Sequence, residues 1–204
     1  VMADSHTIAY WPFNEGSGST VTDATATAYT GTIYPSAIWN DEGRPNATGG
    51  YSVEFEGSVT KIGTNADFDA TEFTAEVWFK TETADKKMVL FSDKAGSKWA
   101  YNLYINTGDL AFDFTVDNGN LVMLTTPCAC TDNMWHFAVI VRGEDYVELW
   151  LDGVKVDETD WSGDIDFTAG PISIGQNPLG SESFKGLIDD LRFSDIARHN
   201  EDFM

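Results

Sequence analysis

Residues 135–153, WHFAVIVRGEDYVELWLDG, decide the fold, because apolar residues alternate with other residues through two segments that a polar turn separates. Phe137, Val139 and Val141 fall on one side of the first segment, since successive side chains of a strand point to opposite faces. The second segment, VELWL, alternates in the same way. A period of two excludes a helix here and predicts a hairpin of an antiparallel sheet.

The composition predicts a single all-β domain over residues 1–204. Eighteen glycines and a steady scatter of Asn, Asp, Ser and Thr supply turns at short intervals, and seven tryptophans with thirteen phenylalanines supply a large core. Sandwiches of roughly 200 to 250 residues often form one domain. We therefore expect an antiparallel two-sheet β-sandwich of about twelve to fourteen strands.

The chain is strongly acidic, with 33 Asp and Glu residues against 12 Lys and Arg residues and a formal charge of −21. Such a charge repels nucleic acid and anionic membranes and attracts cations. It has two explanations at this point, a calcium-binding protein or a solvated surface tuned for solubility, for example in a saline habitat. Nucleic-acid partners are excluded from the expected functions.

Two further features bound the class of protein. No apolar run approaches the roughly 20 residues of a membrane-spanning helix, so no membrane insertion is expected. Cys128 and Cys130 are separated by one residue, and a bridge between them would be strained. We expect two unpaired thiols.

The hairpin resembles the signature hairpin of the laminin-G-like domain, a concanavalin A-like jelly roll of the lectin/glucanase superfamily. In that family a Trp-His pair opens one strand and a Val-Asp-Gly-like turn closes the next; Leu151 stands here in place of that Val. Residues 10–18 (YWPFNEGSG), 73–80 (FTAEVWFK) and 186–193 (GLIDDLRF) resemble the family's opening, central and closing strands. The resemblance covers nearly the whole chain in the family's order.

This resemblance implies an extracellular or cell-surface protein, but the superfamily contains lectins, adhesion domains, glycanases and lyases, and a fold does not fix a function. Our leading prediction is a non-catalytic, lectin-like module that binds a glycan or polysaccharide. The alternative is a protein-binding or adhesion module of the same fold. A glycan-cleaving enzyme is the third possibility.

No catalytic residue is predicted. Retaining glycanases place two carboxylates about 5 to 5.5 Å apart, and the family-equivalent strand carries only Glu76, with Trp78 where a second acid would stand. A pair from separate strands, Glu76 with Asp113 or with Glu148, stays open as an alternative. The paired Arg and Gln-His motifs of the superfamily's lyases are absent from the sequence.

A structural calcium ion is implied by the resemblance, which matches its ligands to Asn14, Gly16, Asp23 and Asp189. Asn14 replaces an Asp that the family often carries there. Independently, the alternation predicts that Asp189 shares a strand face with Leu191 and Phe193, so that its carboxylate points inward and needs a partner. Calcium is one such partner. Backbone N–H groups of the opening strand are the other.

Sugar rings stack on aromatic faces, and their hydroxyls bind polar side chains. Aromatic residues beside polar residues in loops and on outward strand faces are therefore the candidates. Packing remains an alternative role for each tryptophan. The predicted carbohydrate-binding residues are Trp39, Arg44, Trp99, Tyr101, Asn102, Trp161 and Asn177.

Overall fold

The computed structural model describes residues 3–34, 38–47, 49–57, 62–64, 70–95, 98–116, 119–163, 165 and 171–204, with the side chains of residues 94, 95, 98 and 99 outside the description. Its described part contains no helix long and apolar enough to cross a membrane. Strands and turns make up nearly all of the regular structure, and one 3-10 turn, Asn200–Asp202, lies near the end of the chain.

Sixteen strands occur within the described residues. In chain order they are β1 (Thr7–Trp11), β2 (Thr20–Val21), β3 (Gly31–Ile33), β4 (Ile38–Asn40), β5 (Ser52–Glu56), β6 (Ile62–Thr64), β7 (Phe73–Lys80), β8 (Lys87–Ala95), β9 (Lys98–Asn106), β10 (Asp109–Thr115), β11 (Leu121–Thr126), β12 (Trp135–Arg142), β13 (Tyr146–Leu151), β14 (Val154–Asp160), β15 (Ser173–Ile174) and β16 (Lys185–Ser194).

The strands form two antiparallel sheets of eight. The first sheet has the order β14-β13-β12-β7-β16-β5-β4, with β1 also paired to β16, and the second has the order β11-β10-β9-β8-β15-β6-β3-β2. The predicted all-β, two-sheet sandwich is confirmed. The strand number is higher than predicted because several pairings involve only two or three residues in polar, glycine-rich segments.

One aromatic-rich core lies between the sheets. Phe193 of the first sheet meets Phe91 of the second edge to face, with ring centroids 5.2 Å apart, and also contacts Trp11 at 6.5 Å. Such pairs add to the free energy of burying the rings. Because alternate strand residues enter this core, the remaining residues of each strand line an outer face of the sandwich.

The predicted hairpin is confirmed as β12 and β13, and β12 is buried on both faces. Ala138 and Ile140 enter the core between the sheets. Phe137, Val139 and Val141 lie on the outer face, where the C-terminal residues, including Phe203 and Met204, pack against them.

Two predictions about local structure are wrong. Cys128 and Cys130 are joined by a disulfide rather than unpaired. Asp189 does not share the face of Leu191 and Phe193, because a bulge at Asp190 (φ 43°) inserts an extra residue into β16. Asp189 consequently pairs with Trp78 on the outer side of the first sheet, although it is fully buried there.

Candidate functional site

Three polar side chains form a row across three neighbouring strands of the second sheet. Asn102 of β9 is paired with Ser92 of β8 on one side and with Asp113 of β10 on the other. Their sequence neighbours Leu103 and Phe112 enter the core, so the row faces outward. We call these residues, Ser92, Asn102 and Asp113, the polar row.

A bulge in β8 aligns this row. The pairing of β8 with β9 shifts between Val89 and Phe91, so that both Leu90 and Phe91 enter the core. Ser92 thereby returns to the outer face, beside Asn102. Bulges re-aim side chains in this way and recur next to functional sites.

The polar row contains buried oxygens without partners among the described residues. The exposed fractions of Ser92, Asn102 and Asp113 are 0%, 1% and 5%, yet Ser92 Oγ, Asn102 Oδ1 and Asp113 Oδ1 accept or donate no hydrogen bond there. Each such group costs about 1–3 kcal/mol of stability, and native proteins contain few of them. Three in adjacent register are therefore a sign of a binding surface.

Lys87 connects the polar row to a neighbouring loop. Its ammonium nitrogen lies 3.9 Å from Asp113 Oδ2 and 3.7 Å from Glu182 Oε2, and it sits 3.9 Å above the ring centroid of Tyr104. Asn177 extends the cluster by donating from Nδ2 to Glu182 Oε2 at 3.1 Å. The Lys87 side chain is 28% exposed, so it lies between the solvent and the Asp113 end of the row.

Burial sets the protonation behaviour of the cluster. It raises the pKa of Asp113, against the opposing effects of the Lys87 charge and of hydrogen bonds from Asn102 and Tyr104. Burial also raises the pKa of Tyr104, with a further contribution from Asp113. The Tyr104 hydroxyl therefore stays protonated at neutral pH and remains a hydrogen-bond donor.

Apolar surface adjoins the polar row on the same outer face. Val89, Tyr104 and Ala111 form a small buried cluster there. Beside it, the edge strand β11 exposes Leu121 and Met123, with exposed fractions of 57% and 56%. The site thus combines hydrogen-bonding oxygens with an apolar strip, the combination found in small-molecule sites.

The structure brings two of the predicted carbohydrate-binding residues together here, Asn102 and Asn177. Tyr101 was predicted to lie beside them on the surface. That placement is wrong, because its ring lies in the core against Phe73 and Phe91. Trp99 belongs to β9, and its side chain lies outside the described residues.

The other three predicted residues lie apart from the polar row. Trp39, on the edge strand β4, donates from Nε1 to the Gly18 carbonyl at 2.9 Å. Arg44 pairs with Asp190 and stacks over Trp78 at 5.5 Å, which gives it a structural partner on each side. Trp161 meets Phe114 edge to face at 6.0 Å. A depression of about 550 Å³ adjoins Trp161 and is lined by Asp145, Asp160, Ser162 and Gly163.

A groove of about 660 Å³ also lies on the first sheet, and its walls include Asn40, Glu42, Glu54, Lys80 and Lys185. Lys80 pairs with Glu42 at 2.5 Å, and Asn40 donates to Glu54 at 3.0 Å. Among its described lining residues no buried side-chain polar atom lacks a partner. The groove therefore lacks the feature that distinguishes the polar row.

Asp23, a predicted calcium ligand, is engaged by its own chain. Its carboxylate accepts hydrogen bonds from the backbone N–H groups of Tyr10, Thr25 and Tyr29 and from the Thr25 hydroxyl, at 2.7 to 2.9 Å. These four bonds fasten the loop after β2 to β1. They also occupy both oxygens.

Asp189 is likewise held by backbone donors. The N–H groups of Arg44 and Asp190 each donate to it at 2.8 Å. The donors come from the loop after β4 and from β16 itself, rather than from the opening strand as the alternative prediction had it. Burial raises the pKa of Asp189 to about 7 in spite of these bonds.

Asn14 and Gly16 lie in one loop with Glu15, where calcium-type oxygens do remain available. Asn14 Oδ1 and Glu15 Oε2 are buried without a partner among the described residues. Gly16 (φ 63°) lies directly against the ring of Tyr51. Carboxylate and amide oxygens suit calcium, although the described chain groups no three His, Cys, Asp or Glu side chains as a metal centre. Asn14 and Glu15 thus carry the oxygens that remain available in this loop.

The carboxylate pairs considered for catalysis do not form. Glu76 lies on the outer face of the first sheet, fully buried and paired with Arg192, whereas Asp113 lies on the outer face of the second sheet. Glu148 accepts from Trp150 Nε1 at 2.9 Å. It is two strands from Glu76, a separation of about 10 Å from strand spacing. That exceeds the separation in retaining glycanases.

A family model described as the concanavalin A-like lectin/glucanases superfamily matches residues 55–202. The chain belongs to this superfamily. Within it, the core strands β7, β12 and β16 and the strands of the polar row all fall inside the matched region. The predicted laminin-G-like resemblance is confirmed.

Two curated relatives are similar over most of this chain. Adhesion G-protein coupled receptor V1 of Danio rerio is 28% identical over 164 residues, 74% of this chain and 2% of that protein. Usherin of Homo sapiens is 27% identical over 141 residues, 65% of this chain and 3% of that protein. The chain thus spans 2–3% of the length of these relatives.

A solved structure shares the fold. The botulinum neurotoxin serotype D ligand binding domain in complex with N-acetylneuraminic acid superposes with a TM-score of 0.72 at 14% identity, over 97% of this chain and 49% of that chain. This structure and the family model thus agree on a laminin-G-like fold.

Sequence reasoning missed four residues of the candidate site, Lys87, Ser92, Tyr104 and Glu182, and considered Asp113 only for catalysis. The alternation of Asp113 with Phe112 and Phe114 did place its side chain outward. In β8 the bulge at Leu90 interrupts the alternation, so the sequence did not indicate that Ser92 faces outward.

Proposed function

We propose that this chain is a non-catalytic carbohydrate-binding module that takes a glycan at the outer face of its second sheet. The observation that carries the proposal is the polar row, whose three buried oxygens on Ser92, Asn102 and Asp113 have no partner in the part of the chain that the structure describes. Such groups lower stability, and a ligand that forms hydrogen bonds with them would explain why the protein keeps them.

The chemistry of the row favours a ligand rich in hydroxyls. Asn102 Oδ1 and an ionised Asp113 carboxylate can only accept hydrogen bonds, so their ligand must donate. Sugar hydroxyls do so, and the Ser92 hydroxyl can donate or accept in return. A solved structure of the same fold carries a sugar, N-acetylneuraminic acid.

Lys87 would have to move for a glycan to enter. Its side chain has a flexible four-carbon stem, and its ammonium covers the Tyr104 ring. When that ammonium swings aside, the ring offers a face on which a sugar can stack. Leu121 and Met123 would flank the glycan on the side of β11.

The test is calorimetric titration with a panel of oligosaccharides, with parallel assays for new reducing ends and unsaturated products. We expect saturable binding without products, and a loss of about three- to tenfold in affinity for Ser92→Ala, from the worth of one hydrogen bond. Because Ser92 Oγ has no partner in the described chain, the melting temperature of S92A should not fall.

Glu144→Gln is the matched control, since Glu144 is exposed in the turn of the β12–β13 hairpin on the other sheet. It should bind like the wild type. Unchanged affinity in S92A would argue against the polar row as the binding surface, and release of products would argue against a non-catalytic module.

We also propose that calcium stabilises the loop of Asn14 and Glu15. A bound ion would satisfy their two unpartnered oxygens and offset the surrounding acidic charge. Melting should then rise on addition of calcium and fall with chelator, with both effects lost in Asn14→Ala. A melting temperature that neither calcium nor chelator changes would contradict this role.

One observation favours a protein-binding or adhesion module as the second candidate. Leu121 and Met123 are exposed side by side on the edge strand β11, and such patches mark interaction sites. Attachment of domain-coated beads to cells stripped of surface glycans, abolished by L121E/M123E, would support it. Loss of attachment on glycan removal would favour carbohydrate binding. For either function we propose an extracellular or cell-surface location, as for an adhesion receptor.

A further inference from the structure

The balance of charge around the polar row bears on which glycans can bind. Lys87 is the cation of the described cluster, and it lies 3.9 Å from Asp113 and 3.7 Å from Glu182. Two carboxylates thus share one ammonium. The carboxylates of the described cluster thus outnumber its ammonium, on a chain that already carries a formal charge of −21.

A carboxylate on a ligand would meet few donors here. Asn102 Oδ1 and Asp113 Oδ1 are acceptors without partners, and an ionised carboxylate is itself only an acceptor. Lys87 is a donor, but its ammonium already faces the carboxylates of both Asp113 and Glu182. The carboxylate of an acidic sugar would therefore donate no hydrogen bond to these oxygens and would add a like charge beside them.

The magnitude of this repulsion is sufficient to decide selectivity. At an effective dielectric constant of about 20, the repulsion between two like charges roughly 6 Å apart weakens binding by about a hundredfold. Solvent and salt reduce that energy at a partly open site. Even if solvent and salt halve the repulsion energy, uncharged glycans would bind at least about tenfold more tightly than acidic ones.

We propose that the polar row selects uncharged glycans and discriminates against uronic and sialic acids. This inference rests on the proposed function, because it concerns the ligand class of the same site. It sets the module apart from the sialic-acid complex that shares its fold. Hydroxyls on neighbouring sugar carbons would supply the donors that Asn102 and Asp113 lack.

The experiment uses matched pairs of probes that differ only in charge. Oligogalacturonate is compared with its fully methyl-esterified form, and 3′-sialyllactose with lactose, beside uncharged gluco-, manno- and xylo-oligosaccharides. Affinities are measured by calorimetry at low salt and again at 0.5 M NaCl. We expect every ligand that binds to be uncharged and its acidic counterpart to bind at least tenfold more weakly. This difference in affinity should narrow at high salt.

Asp113→Asn tests the cause, because it removes the charge while keeping an acceptor oxygen. The gap between acidic and uncharged probes should shrink at least threefold in D113N and stay unchanged in the exposed-turn control Glu144→Gln. The gap is a ratio of two affinities measured on the same variant. Partial loss of folding affects both affinities equally and therefore cannot change that ratio.

Two results would overturn the inference. Acidic probes binding as tightly as their uncharged partners would overturn the selectivity while leaving the glycan-binding function intact. Binding by none of the probes would overturn that function, and the selectivity with it.

Discussion

The ammonium of Lys87 lies 3.9 Å from the carboxylate of Asp113, on the outer face of the second sheet and away from the core. Burial raises the pKa of this carboxyl, and the Lys87 charge is the largest opposing effect. Lys87 therefore opposes the effect of burial on the Asp113 carboxyl, which is itself part of the polar row. The Lys87–Asp113 pair thus contributes to the stability of the sheet and lies at its proposed binding surface.

Lys87→Met should make stability more sensitive to pH. Without the ammonium the pKa of Asp113 rises further, so the folded state holds its proton more tightly than the unfolded state does. The free energy of unfolding then falls further as the pH rises above the ordinary aspartate pKa. Melting curves across this range should show a steeper decline in K87M than in the wild type. Lys155→Met, at an exposed lysine of β14, is the control. An equal slope in K87M and wild type would contradict the pairing.

Asp189→Asn should flatten the pH dependence of stability. The folded pKa of Asp189 is about 7, raised from its ordinary value of 3.8 by burial. Folding thus favours the protonated form, and the domain loses stability as the pH rises from about 4 through 7. An amide cannot ionise, so chemical denaturation at pH 5 and pH 8 should differ less in D189N. Asp145→Asn, in the exposed β12–β13 turn, should behave like the wild type. A wild type equally stable at both values would be inconsistent with this burial.

His136 makes a separate contribution of the same sign. Its ring nitrogens lie 2.8 Å from Asp152 and 3.1 Å from Asp132, and the hydrogen bond with Asp152 is the largest cause of its raised pKa. The stabilisation is complete below the ordinary histidine value of about 6.5 and disappears as the pH rises through the folded pKa. NMR titration of the imidazole should show the raised value, and Asp152→Asn should lower it. An unshifted titration would contradict the contact.

Arg192→Leu should strongly destabilise the domain. Arg192 is the partner of Glu76, and both are almost fully buried on the outer face of the first sheet. Removing the guanidinium leaves a buried carboxylate alone, which costs about 3–5 kcal/mol. The double variant E76L/R192L removes both charges and should recover much of this loss in urea unfolding. A double variant as unstable as R192L would show that packing, and not the charge of Glu76, causes the effect.

The fold was predictable because alternation is a local signal. Phe73–Lys80 and the β12–β13 hairpin show a period of two, and the structure places their residues as that period requires. The bulge at Asp190 was not predictable, since one residue in a left-handed conformation leaves no clear mark in the sequence. It turned Asp189 away from the face that simple alternation assigned to it.

The candidate site was only partly predictable because the pairing register of the strands, and not a local sequence pattern, brings its residues together. Asn102 and Asn177 were selected as polar residues beside aromatic ones, and they do join one cluster. Lys87, Ser92 and Glu182 join it through the pairing of β8 with β9 and through the loop before β16, which no local pattern reveals. Tyr101 was misassigned because the aromatic residues that suit a sugar also suit a core.

A crystal structure of the domain with the uncharged glycan that binds it most tightly would show directly whether the polar row is the binding surface. We expect sugar hydroxyls within hydrogen-bond distance of Asp113 Oδ1 and Asn102 Oδ1, with the Lys87 ammonium displaced from the Tyr104 ring. A glycan bound instead in the groove beside Lys80 and Glu42, or in the depression beside Trp161, with the polar row unoccupied, would contradict it.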